Sequence, residues 1–219
     1  MAAYQHLIRP ARDAGAKNAP TLVLLHGYGA NMQDLFGLAP ALHRDMNIIS
    51  LQAPQDMRHL GMPGGRSWFS LTFTAGDIGY NAEEADAAVA NLAKELPELV
   101  QSTGGDPDQV YLLGFSQGAM MAHATLLRFG GVRGIIALSG RMVASTFGNP
   151  TDHAQLDGVP VFVSHGHYDE VLGIDNGRAI AEFYRKTPAT LTYHEYQMGH
   201  EISMDSLSDI QAWLREHVG

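Results

Sequence analysis

The chain has 219 residues, 45% hydrophobic and 17% charged, which suits one α/β domain with a full core. Its formal net charge of -9, with no basic stretch to offset it, argues against nucleic acid or an anionic membrane surface as the main partner, because phosphate binding needs clustered Lys and Arg. With no cysteine, a disulfide, a thiolate nucleophile and a Cys-ligated metal are all excluded.

The opening residues, MAAYQHLIRP, lack the charged start and apolar core of a secretory signal. No run approaches the ~18 apolar residues of a membrane span, so a cytoplasmic location is expected. YQHLIRP reads as an antiparallel edge strand. TLVLLHG (21–27) is a buried strand, and MQDLFGLAPALHR (32–44) is helical, with Pro40 placed to break or kink it. MNIISLQAP (46–54) is the next strand. Residues 53–80 contain HLGMPGGRSWFSLTF and are irregular, long enough for a functional loop or a small hairpin.

The longest helical pattern, 81–102, has Asn81 as its N-cap and two glutamates in its first turn. QVYLLGF (109–115) is a strand and 117–129 a helix; VRGIIALSG (132–140) is a strand, followed by a peripheral loop over 140–158. VPVFVSHG (159–166) and TLTYHEY (190–196) are strands, with helices over 176–187 and 203–217. Such alternation implies a mostly parallel sheet with helices on both faces, in a single domain spanning 1–219.

In open sheets of this kind, ligands sit outside the carboxyl ends of the strands. GFSQG matches G-x-S-x-G, with Ser116 on a strained turn between strand and helix, at a helix N-terminus that favours developing negative charge. A serine nucleophile needs a base, and the base needs an orienting carboxylate, in the chain order Ser, acid, His. Asp169 follows the strand VPVFVSHG and His200 the strand TLTYHEY, so both fit. Asp175 is a weaker alternative, since capping explains it at the start of a helix. Acyl transfer also needs an oxyanion hole, for which the backbone N–H groups of Tyr28, in HGYGAN, and Gln117 are the candidates.

Among the other histidines, His26 and His165 are expected to make structural hydrogen bonds, and His217 to be solvated. HGHYD also reads H-x-H-x-D, the spacing of a binuclear metal loop, but Glu170 stands where a further histidine belongs and little chain remains downstream. No metal and no cofactor are expected. In the 53–80 segment, Met57, Leu60, Met62, Trp68, Phe69, Leu71 and Phe73 are enough to line an acyl pocket, with roughly half of them expected to fill the core instead. Met62, Trp68, Phe69 and Leu71 are the candidate substrate-binding residues.

LLHGYGAN, GGRSWFSL, LLGFSQGAMM, HGHYDEVL and YQMGHEI, in that order, resemble the phospholipase/carboxylesterase family of α/β-hydrolases. The resemblance covers essentially all the chain from about residue 20. It implies the α/β-hydrolase fold, without a large cap domain here, and a serine esterase acting through Ser116, Asp169 and His200 with oxyanion donors at Tyr28 and Gln117. It is compatible with a homodimer. The family often has leucine at the position of Tyr28, and many members read W-[FY]-D where this chain has Trp68–Phe69–Ser70. The expected substrate is a small-molecule ester of short-to-medium acyl chain; a thioester or a lysophospholipid would use the same machinery, and the alternative of another class is a non-catalytic binding module on the same fold.

Overall fold

The computed structural model describes residues 4–12, 18–74, 77–143 and 147–218. The strands run in chain order from β1 (His6–Arg9), β2 (Ala19–Leu25) and β3 (Asn47–Leu51) through four short ones, β4 (Gln55–Asp56), β5 (Arg66–Ser67), β6 (Leu71–Thr74) and β7 (Asp77–Tyr80). β8 (Gly105–Phe115), β9 (Gly134–Leu138), β10 (Pro160–Gly166) and β11 (Thr190–Tyr196) follow. The α-helices are α1 (Met32–Phe36), α2 (Ala82–Ser102), α3 (Gln117–Phe129), α4 (Asp175–Tyr184) and α5 (Met204–His217).

Seven strands form one sheet in the order β1-β3-β2-β8-β9-β10-β11. Only β1 is antiparallel, on the edge beside β3, as YQHLIRP suggests. Side chains alternate across each strand, and the sequence serves both faces. Leu22 and Leu24 pack with Leu35 of α1 and Ile210, Trp213 and Leu214 of α5. Val23 and Leu25 pack on the other side with Leu92 and Leu96 of α2 and Ala122 and Leu126 of α3. A sheet buried on both faces needs nearly continuous apolar runs, which is why β2, β3 and β9 carry so few polar residues.

Three expectations are corrected. The first helix stops at Phe36 instead of reaching residue 44, and Ala39–Ala41 form a separate 3₁₀ turn. Gly37 closes the helix, and Pro40 has no N–H to continue it. β8 begins at Gly105, four residues early, pairing with Ala19 before a register shift. The 140–158 loop is not peripheral: Phe147 and Leu156 are fully buried, and Phe147 packs edge-on against Phe183 of α4 at 4.7 Å. Residues 144–146 of that loop lie outside the described residues.

The irregular 53–80 segment resolves into two small antiparallel pairs, β4–β5 and β6–β7. Both sit at the same edge of the sheet as the ends of β2 and β8.

Candidate active site

The turn after β8 brings strand and helix so close that only glycine fits. A Cβ on Gly114 would run into the backbone of Gly118, and one on Gly118 into the carbonyl of Leu25. Ser116 between them has φ 54° and ψ -114°, a left-handed conformation costly for a residue with a side chain. Its N–H donates to Leu138 O at 2.9 Å, which pins the turn to the end of β9.

His200 Nε2 lies 2.9 Å from Ser116 Oγ. His200 Nδ1 lies 2.7 Å from Asp169 Oδ2. With Nδ1–H donating to the carboxylate, Nε2 is the bare nitrogen and accepts from the serine hydroxyl. Asp169 Oδ1 accepts the Val171 and Leu172 N–H groups at 2.9 and 2.8 Å. The side chain of Asp169 is fully buried. Burial pushes its pKa upward, but hydrogen bonds from His165, His200 and the Leu172 N–H outweigh that and hold it well below the usual carboxylate range. The Phe115 ring packs on the His200 ring at 4.9 Å, screening one side of it.

His165 does more than brace its own strand end. Its Nε2 reaches Leu172 O at 2.5 Å and lies 3.4 Å from Asp169 Oδ2, with both side chains fully buried. The spacing His165-x₃-Asp169 carried that signal, but it was masked by the H-x-H-x-D pattern. His167 turns to a different partner, Glu195 Oε2 at 3.3 Å. Among the described residues, no group of three or more His, Cys, Asp or Glu is arranged to hold a metal ion. His217 is not merely solvated: it stacks on Trp213 at 4.5 Å.

The loop after β2 passes directly over the serine. A Cβ on Gly27 would lie 3.4 Å from Ser116 Cβ. His26 Nδ1–H donates to Gly27 O at 2.7 Å, and its Nε2 accepts from Ala53 N–H at 3.1 Å. Burial lowers the pKa of His26, which keeps the ring neutral and suited to one donor and one acceptor. Among the described residues, the N–H groups of Tyr28 and Gln117 have no backbone acceptor. Gln117 N–H belongs to the first turn of α3, where such groups are normally free to meet a ligand.

A cavity of about 250 Å³ opens beside Ser116 and His200. Its walls are mainly apolar: Leu71, Phe73, Ile78 and Tyr80 from the β6–β7 pair, Met120 from α3, and Val171 and Leu172 after Asp169. Tyr28 closes one side, its ring edge-on to Phe73 at 5.7 Å. Arg141, whose Nη1 donates to Ile78 O, is part of the wall. A larger cavity of about 700 Å³ lies at the opposite end of the sheet, near Pro20 and Pro160, and contains none of these residues.

Of the four candidate substrate-binding residues, the structure puts Leu71 on the cavity wall and the other three elsewhere. Trp68 and Phe69 are each 1% exposed and belong to the core. The indole of Trp68 packs against Tyr4 and His26, and its Nε1–H donates to His26 O at 2.9 Å, a partner it needs when buried. Met62 is 44% exposed and lies against the loop after β2, where a Cβ on Gly29 would stand 3.6 Å from its sulfur. Ile78, Tyr80, Met120, Val171 and Leu172 were not anticipated. Met120 lies one helical turn beyond Ser116, and that spacing was the available signal.

A mostly parallel sheet carries a serine on a glycine-flanked strand-to-helix turn, with an acid and a histidine after later strands; this is the arrangement of an α/β-hydrolase. A family model described as phospholipase/carboxylesterase matches residues 11–218, and the chain belongs to that family. The solved structure of esterase PE8 is similar, with 30% identity and a TM-score of 0.79 over 98% of this chain and 99% of that one. Acyl-protein thioesterase 1 of Saccharomyces cerevisiae is 28% identical over 95% of this chain and 94% of its own. A carboxylesterase from Bacillus cereus shares the fold at a TM-score of 0.79 and 20% identity, over 98% of this chain and 95% of that one. No helix among the described residues is long and apolar enough to cross a membrane.

Proposed function

We propose that the chain is a serine carboxylesterase for small esters of short-to-medium acyl chain, with Ser116, His200 and Asp169 as its catalytic triad. The observation that carries this reading is the unbroken chain of contacts from Asp169 Oδ2 through His200 to Ser116 Oγ, at 2.7 and 2.9 Å, beside an apolar cavity. His200 takes the hydroxyl proton as Ser116 Oγ bonds to the ester carbonyl carbon. The N–H groups of Tyr28 and Gln117 hold the resulting oxyanion. The tetrahedral centre then expels the alcohol, which receives the proton from His200 and leaves an acyl-serine. Water, deprotonated by the same histidine, attacks that acyl group; the tetrahedral centre expels Ser116 Oγ, which takes the proton back from His200, and the acid is released.

Each proton has a place on these residues, so the chemistry runs without a cofactor. We take residues 1–219 to be one domain, working in the cytoplasm, with a homodimer as the assembly to test. A fluorophosphonate should label the wild type covalently and spare Ser116→Ala. An unlabelled wild type that cleaves no p-nitrophenyl ester would end the proposal.

A thioesterase reading has its own support, since the yeast relative carries that name. The relative kcat/KM on matched oxyester, thioester and lysophospholipid substrates decides among these.

A further inference from the structure

Two N–H groups serve one oxyanion only if they are held at a fixed separation. Here they come from distant segments: Tyr28 follows β2, and Gln117 begins α3. Residues 66–69 join them. Arg66 N–H donates to Ala30 O at 2.8 Å, and Arg66 O accepts from Gly29 N–H at 2.9 Å, so this strip pairs with the Tyr28 loop on both sides of one residue. Trp68 Nε1–H adds a third bond, to His26 O at 2.9 Å.

The other end of the strip is held by the side chain of Gln117. Its Oε1 accepts from Trp68 N–H at 2.9 Å, and its Nε2 donates to Phe69 O at 2.7 Å. The amide therefore pairs with two consecutive residues much as a neighbouring strand would. Gln117, Trp68 and Phe69 are each 1% exposed, so no water competes for these bonds. A buried amide left without either partner would cost the full desolvation of that group, which makes the pairing hard to abandon.

Resting on the reading of Tyr28 and Gln117 N–H as oxyanion donors, we infer that the Gln117 side chain is a positioning residue: through residues 66–69 it sets the distance between its own N–H and that of Tyr28. The same residue thus supplies one donor from its backbone and fixes the other with its side chain. Packing alone would not require both ends of the amide to be used, nor the strip to be bonded on its far side to the residues flanking Tyr28. The separation matters most in the transition state, where charge sits on the oxygen, and little in the ground state.

The experiment uses Gln117→Met, which keeps the backbone N–H and side-chain length but removes both amide hydrogen bonds, and Trp68→Phe, which removes the hydrogen bond to His26 O together with part of the indole packing on Tyr4 and His26. On p-nitrophenyl acetate, Gln117→Met should lose about 10- to 100-fold in kcat with KM changed less than about twofold, given that a 1 Å misplacement can cost about 100-fold. Its affinity for a trifluoromethyl ketone, which forms an oxyanion in the site, should weaken by a similar factor. Binding of the matching secondary trifluoromethyl alcohol, which has no carbonyl and forms no oxyanion, should be unchanged. Trp68→Phe should move the same way by a smaller factor. Wild-type kcat and ketone affinity in Gln117→Met overturn the inference, as does equal weakening of both ligands. If Gln117→Met does not fold, unchanged ketone affinity in Trp68→Phe overturns it. An inactive wild type that resists fluorophosphonate fails the esterase reading instead, so the two failures are distinguishable.

Discussion

Asp169 meets His200 Nδ1 through Oδ2 at 2.7 Å, while its other oxygen is held by the N–H groups of Val171 and Leu172. The carboxylate is therefore fixed at both oxygens and has no freedom to swing away. An amide in its place would offer an NH₂ or a poor acceptor to one of these donors and would favour the wrong tautomer of His200.

Asp169→Asn should lower kcat by about 10³- to 10⁴-fold with little change in KM. Asp175→Ala should retain wild-type rates. Its side chain is 94% exposed and, among the described residues, pairs only with Arg178, at 3.6 Å. Steady-state hydrolysis of a p-nitrophenyl ester by both variants checks this, and an active Asp169→Asn would remove Asp169 from the mechanism.

The same carboxylate should leave a mark on acid stability. Its folded pKa is depressed, because the hydrogen bonds from His165, His200 and Leu172 outweigh burial. A depressed carboxylate contributes stability fully above its unfolded pKa of about 4, and that contribution is lost as pH falls towards the folded value. The gap in urea midpoint between wild type and Asp169→Asn should be constant from about pH 5 to 7 and narrow below about pH 4. A gap that widens on acidification would contradict the sign.

Ser116, Asp169 and His200 were readable because each follows an apolar run, and parallel strands deliver their carboxyl ends to one edge. The cavity was not readable in the same way. Which side chains between 66 and 80 face it depends on the pairing of β6 with β7, where Leu71 opposes Tyr80 and Phe73 opposes Ile78. Those four share one face, while Trp68 and Phe69, just upstream, turn into the core. Composition alone makes all of them equivalent apolar residues. The Gln117 side chain escaped notice for a related reason: its partners are backbone atoms 48 and 49 residues away, which no local pattern encodes.

The nucleophile turn should be intolerant of any side chain at Gly118. A Cβ there would meet the Leu25 carbonyl and come within 2.9 Å of His26 O, and both are backbone atoms that cannot turn aside. Gly118→Ala should cost about 4 kcal/mol or more, or yield no folded protein. Gly173→Ala is the contrast: nothing lies within 4 Å of its Cβ position, and its thermal midpoint should stay close to wild type. A stable, active Gly118→Ala would mean that β2 and α3 are not packed backbone to backbone.

The cavity volume sets an expectation for chain length. At roughly 30 Å³ for a group the size of a water or a methylene, 250 Å³ holds an acyl chain of about eight carbons. Each buried methylene contributes about 0.8 kcal/mol, or roughly fourfold in kcat/KM, so a p-nitrophenyl series should climb from acetate and level off near octanoate. Leu71 lines this space, so Leu71→Ala should move the levelling point up by about two carbons. Trp68→Phe should lower every member of the series by the same factor, because the indole is outside the cavity and touches Tyr4 and His26 instead of the acyl group. A shift of chain-length preference in Trp68→Phe, with none in Leu71→Ala, would place the acyl group on the other side of the 66–71 strip.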